Sequence, residues 1–175
     1  TTMDIETKFV SREINLLLWK TGETVSTAES CTGGNVAAAL TSIPGSSNYF
    51  KGGIVTYSDA TKVRFLDVNP ETIETHTAYS EEVVKEMVKG AIQSFDSTYA
   101  IAISGVAGPT GGTPETPVGT IWIAVGNSEV IITKKRSEDD GREPNVQHAV
   151  CDAIQMLFDF IQARHPIVEE EVEMK

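Results

Sequence analysis

Strand-like runs alternate with helix-like segments along most of the chain, and a sheet covered by helices on both faces is the architecture that accommodates such an alternation. Val10, Ile14, Leu17 and Leu18 recur at helical spacing between residues 4 and 20, and Gly22 supplies a stop signal. Residues 24–29 read as a short strand, and Gly33-Gly34 then leads into an alanine-rich helix over residues 35–40. A loop punctuated by Pro44, Gly45, Ser46, Ser47 and Asn48 precedes a second strand over 54–57. Ser80 caps a helix whose stripe is Val83, Val84, Met87, Val88, Ala91, Ile92 and Phe95. The apolar run 99–103 reads as a buried strand and ends in a glycine-rich loop over 104–112. Residues 120–125 and 130–133 flank a compact turn suited to an antiparallel hairpin. A closing helix follows Pro144, with Val146, Ala149, Val150, Ala153, Ile154, Leu157, Phe158 and Ile161 on its apolar face. The pattern predicts a three-layer α/β/α sandwich with a mixed, mostly parallel sheet containing an antiparallel strand pair. It also predicts one domain over 1–165, an acidic and mobile tail over 166–175, and a site at the carboxyl ends of the strands.

Composition narrows the function. With 14 Lys and Arg against 25 Asp and Glu, the formal charge is -11, which opposes nonspecific binding to a nucleic-acid backbone. The only two cysteines, Cys31 and Cys151, lie far apart, so neither a disulfide framework nor a cysteine zinc site is written here, and a cytoplasmic setting is expected. No apolar run approaches the roughly 20 residues that span a bilayer, so no membrane partner is expected. A single chain of 175 residues that is 40% hydrophobic has material for one core. Patterns of the forms GxGxxG, GxxxxGK[ST], GxSxG and HExxH are all missing, which weakens dinucleotide, P-loop, hydrolase-elbow and zinc-protease readings.

The segment Thr27-Ala28-Glu29-Ser30-Cys31-Thr32-Gly33-Gly34 places hydroxyls, a thiol and two glycines where a strand turns into a helix. Ser30 can serve there as a nucleophile or simply cap the helix, and Cys31 is a rival nucleophile or an inert buried residue. A serine needs a base, and His76, His148 and His165 have no motif context. Lys62, shortly after Tyr57, is the nearer candidate, although a surface lysine is the plain alternative. Neutralising a lysine near pH 7.4 costs roughly 4 kcal/mol, so the site has to be enclosed or hold a second cation such as Lys51, Arg64 or Arg142. Tyr57 reads equally as a packed strand aromatic.

These fragments, with Gly45-Ser46-Ser47, Gly53-Ile54-Val55-Thr56-Tyr57-Ser58, Ile103-Ser104-Gly105-Val106-Ala107-Gly108-Pro109 and Pro117-Val118-Gly119-Thr120, resemble in order and spacing the C-terminal domain of the CinA competence/damage-inducible proteins. That domain is also found alone as nicotinamide mononucleotide amidohydrolase, and the resemblance spans residues 5 to 162. It implies hydrolysis of the carboxamide of nicotinamide mononucleotide to nicotinic acid mononucleotide and ammonia, in pyridine-nucleotide recycling, with no metal or cofactor. Carried over, Ser30 is the nucleophile, Lys62 its proton-transfer partner, and Tyr57 a positioning or relay group. Thr32, Gly33 and Gly34 are candidates for an oxyanion or substrate cradle, and Ser46, Ser47, Ser104 and Gly105 for lining the same pocket. Relatives carry a Gly-Asp/Asn-Arg element followed by another Arg. Here Gly141-Arg142 keeps one cation as a phosphate candidate, Glu143-Pro144-Asn145 alters the spacing, and Gln147 stands where the second Arg is expected.

Two other readings stay open on these residues: a noncatalytic nucleotide-binding or protein-interaction module, and an amidase for another carboxamide. The expected partner is a small-molecule nucleotide substrate, and the apolar terminal helices leave room for a homo-oligomer, a symmetric dimer being favoured.

Overall fold

The computed structural model describes residues 4–166. The expected acidic tail therefore falls, beyond Pro166, outside the described residues. Five strands form one sheet in the order β2-β1-β3-β4-β5. The strands are β1 (Val25–Glu29), β2 (Phe50–Val55), β3 (Tyr99–Gly105), β4 (Ile121–Gly126) and β5 (Ile131–Arg136). β1 pairs in parallel with β2 and β3, while β3–β4 and β4–β5 are antiparallel. Only β4 runs against the others, so its reversal creates a second antiparallel ladder, with β3, beside the expected hairpin.

Helices α1 (Ile5–Thr21), α2 (Asn35–Thr41) and α6 (Arg142–Arg164) cover one face, and α3 (Asp59–Leu66), α4 (Pro70–His76) and α5 (Glu81–Phe95) the other. The alternation along β3 explains the two layers. Tyr99, Ile101 and Ile103 pack toward α1, α2 and α6, whereas Ala100 and Ala102 face α5. Small residues under α5 let it sit close to the sheet. At Gly90 a Cβ would stand 2.0 Å from the Leu66 carbonyl oxygen, so the end of α3 rests directly on α5.

Two short helices were not foreseen from periodicity. In α3 only Lys62 and Leu66 are buried, so a charged residue occupies one of its two core positions and erases the apolar stripe. Its start is nonetheless written locally: Ser58 and Thr61 form a reciprocal capping box. α4 begins with Asn69 as cap and Pro70 in its first turn, and no residue within it is buried. β2 starts four residues before the expected strand because Gly52 and Gly53 belong to it; a Cβ on Gly53 would lie 2.2 Å from Thr27 Oγ1. Among the described residues no helix is long and apolar enough to cross a membrane.

Candidate active site

The parallel pairing of β1 with β2 and β3 brings the segments that follow their carboxyl ends to one edge of the sheet. Ser30 leaves β1, its amide donating to the Ile103 carbonyl at 2.9 Å, and Lys62 reaches in from α3. Lys62 Nζ lies 3.1 Å from Ser30 Oγ and donates to the Thr56 carbonyl at 2.7 Å. Both residues are buried, with Lys62 only 1% exposed. That burial holds the Lys62 amine below the ordinary value of 10.5, against the opposing pull of Asp59 and Cys31. Cys31 is driven the other way: burial pushes its thiol up to about 12. Buried and protonated, it lacks the thiolate that a cysteine nucleophile requires.

Glu29, which the sequence did not single out, shapes the turn beneath Ser30. Its buried carboxylate accepts from Thr32 Oγ1 at 2.6 Å and from the amides of Val36 at 2.9 Å and Ala37 at 3.1 Å. Those two amides open α2, so the carboxylate occupies the donors that could otherwise hold a bound anion. The Gly33 amide is also committed, donating to the Ser30 carbonyl at 3.0 Å.

Ser30, Lys62, Tyr57, Tyr79, Gly105, Ala107, Gly108 and Arg142 line a cavity of about 150 Å³. A second chamber of about 380 Å³ adjoins it, sharing Cys31, Tyr57 and Arg142 and adding Thr32, Gly33, Asn35, Glu143, Val146 and Gln147. At their boundary Arg142 Nη2 donates to the Tyr57 hydroxyl at 2.9 Å while Nη1 donates to the Gly108 carbonyl at 2.7 Å. The outer chamber thus has one guanidinium, one carboxylate and two side-chain amides.

A profile of the CinA C-terminal domain matches residues 7–161. The chain belongs to the CinA C-terminal domain family. It is 49% identical over 135 residues to a CinA-like protein of Shewanella baltica, an alignment covering 74% of this chain and 32% of that protein. It is 47% identical over the same length to a Shewanella oneidensis protein named nicotinamide-nucleotide amidohydrolase PncC, again covering 74% and 32%. The chain therefore spans about a third of the length of these curated relatives. The crystal structure of the competence/damage inducible protein CihA from Agrobacterium tumefaciens superposes with a TM-score of 0.88 at 35% identity, covering 91% of this chain and 98% of that one.

Within this CinA domain some expected site residues lie elsewhere. Ser46 and Ser47 form one tight turn just before β2, at the amino end of the sheet and opposite Ser30, because parallel pairing sends only carboxyl ends toward the cavity. Ser104 is fully buried and donates to the Ala78 carbonyl at 2.7 Å, on the α5 side of β3, so it braces the segment before α5 and does not line the cavity. Gly34 is the cap of α2 at φ 100° and lines neither chamber, whereas Thr32 and Gly33 line only the outer one.

Proposed function

We propose that this domain hydrolyses a carboxamide by way of a Ser30 acyl-enzyme, with Lys62 as the proton carrier and nicotinamide mononucleotide as the substrate. The observation that carries the reading is the buried Lys62 amine 3.1 Å from Ser30 Oγ. Desolvation favours the neutral amine, which keeps one N–H on the Thr56 carbonyl and turns its lone pair to the serine hydroxyl. Ser30 Oγ bonds to the carboxamide carbon as its proton passes to Lys62 Nζ. The resulting ammonium returns that proton to the leaving nitrogen, and the C–N bond breaks to release ammonia. Water then attacks the ester, giving one proton to Lys62, and the Oγ–C bond breaks as Ser30 regains it. Each half-reaction leaves the amine neutral.

The choice of substrate draws on the relative named PncC and on the two chambers. The inner one is smaller than an ordinary ligand pocket of about 300 Å³ or more, so it takes the ring and carboxamide alone. The ribose and phosphate then extend past Tyr57 toward Arg142. Glu143 and Gln147, which flank that chamber, favour the amidase for another carboxamide as a second reading, because one guanidinium beside a carboxylate is a poor match to a phosphate dianion. A pairing of two copies in a cytoplasmic setting belongs to the same proposal; Ile5, Phe9, Leu16 and Trp19 are exposed along one side of α1 and support it.

Purified protein incubated with nicotinamide mononucleotide between about pH 6 and 9 is expected to release ammonia and the acid product together, and Ser30→Ala to stop both while keeping the fold. Riboside and free nicotinamide run in parallel identify the second reading. No turnover of any of the three by the wild-type protein ends the amidohydrolase reading.

A further inference from the structure

Acyl transfer from a carboxamide needs a hydrogen-bond donor facing the oxygen that becomes negative, and several of the amides around Ser30 are already spent. Its own amide goes to Ile103, the Gly33 amide to Ser30, and those of Val36 and Ala37 to Glu29. The opposite wall of the cavity offers another. There the loop after β3 is held from behind by the first turns of α6, where Asn145 is 2% exposed. Asn145 Nδ2 donates to the Ala107 carbonyl at 3.1 Å and to Asp139 Oδ1 at 2.9 Å, while its Oδ1 accepts from the Asp140 amide at 2.9 Å. All three bonds fix the plane of that side-chain amide.

A trans peptide points its N–H opposite to its C=O. With the Ala107 carbonyl drawn back toward α6, the N–H of the same peptide, that of Gly108, is directed away from the helix. Gly108 lines the Ser30 cavity, and among the described residues its amide makes no hydrogen bond. The residue has φ 85°, and a Cβ there would stand 2.3 Å from Val118 Cγ1, so only glycine keeps this orientation. Resting on the Ser30 acyl-transfer reading above, we infer that the Gly108 N–H is an oxyanion donor for the reaction and that Asn145 is the residue that positions it.

The aldehyde analogue of the nicotinamide substrate tests this, because Ser30 Oγ adds to its carbonyl carbon, the Ser30 proton passes to Lys62, and the carbonyl oxygen takes up the negative charge. In the wild-type protein labelled with ¹⁵N, the Gly108 amide proton is expected to shift downfield on adduct formation, and not in Ser30→Ala. Asn145→Asp keeps the shape and the acceptor for Asp140 but loses both donations, to Ala107 and to Asp139, and sets a second carboxylate beside Asp139. Its kcat is expected to fall about tenfold to a hundredfold, short of the roughly 10²–10³ of deleting a donor outright. Affinity for the aldehyde should fall by the same factor, with KM and binding of the acid product unchanged. An adduct that leaves the Gly108 resonance unmoved overturns the inference even if the variant does not fold, as does a variant whose kcat holds or falls only in step with product binding. A wild-type protein that forms no adduct and turns nothing over removes the acyl-transfer reading itself.

Discussion

Lys62 is 1% exposed and Tyr57 is 60% exposed, yet both line the cavity in front of Ser30. The inner pair, Ser30 and Lys62, is buried, and that burial pulls the amine below its ordinary value. The outer pair, Tyr57 and Arg142, makes a bond of similar length, 2.9 Å against 3.1 Å, but in contact with solvent. Equal distances do not carry equal consequences. A buried polar group left without its partner bears the full desolvation cost of about 1–3 kcal/mol, whereas an exposed one is satisfied by water. On the function proposed above, the inner end carries the chemistry and the outer end admission and placement.

Removal of Ser30, the proposed nucleophile, is the largest break in that comparison, and Lys62→Met is the next. It is expected to lower kcat about 10²- to 10⁴-fold with KM little changed. The same variant sharpens the electrostatic argument through stability. Between the lowered native value of Lys62 and its ordinary 10.5, the unfolded chain binds a proton that the native protein has released. Wild-type stability thus rises with pH across that window, and below it the penalty of the buried ammonium is constant. Denaturation curves collected across the alkaline range are expected to show a shallower rise for Lys62→Met. Equal slopes would mean that the amine is charged in the native protein.

How far the sequence discloses this arrangement depends on which atoms make it. Ser30 and Gly105 are found from their places at strand ends, where residue type and position both speak. Lys62 is found only as the nearest available base, because the helix that delivers it is hidden by the lysine itself: put an apolar residue at 62 and α3 acquires a readable stripe with Leu66. Glu29 and Asn145 escape for a different reason. They act on backbone amides and carbonyls, and any residue can provide those, so no pairing of side-chain types advertises them. Ser46, Ser47 and Ser104 show the converse: hydroxyls in distinctive contexts whose positions are fixed by the direction of β2 and the face of β3. Fold class needed only the alternation of elements, whereas the reversal of β4 against β3 depends on the loop between them, whose many glycines and prolines mark a turn without giving its direction.

The outer pair is expected to give smaller effects. Arg142→Ala removes both its bond to Tyr57 and its hold on the Gly108 carbonyl, and steady-state kinetics should show KM raised about tenfold, by the loss of one charge-assisted contact. Tyr57→Phe removes a single exposed bond and should cost only about two- to tenfold in kcat/KM. A loss from Tyr57→Phe as large as that from Lys62→Met would place the phenol in the proton path and erase the distinction between the two ends.

Cys31 supplies the smallest effect because it touches both chambers while belonging chemically to neither. With its thiol pushed up to about 12, roughly one molecule in 10⁵ carries a thiolate at pH 7. A thiol so seldom ionised is a poor rival to the Ser30 hydroxyl, which has the Lys62 amine 3.1 Å away. The side chain is instead a packed apolar group, 8% exposed and part of the cluster under α2 and α6. Cys31→Ala deletes only one sulfur atom there, so kcat is expected to stay within about twofold of wild type, with a modest fall in melting temperature from the lost packing. Thiol-directed reagents give an independent reading of the same point: the folded protein should resist alkylation at Cys31 until the pH is high, and inactivation that tracks alkylation at neutral pH would return the nucleophile to the cysteine.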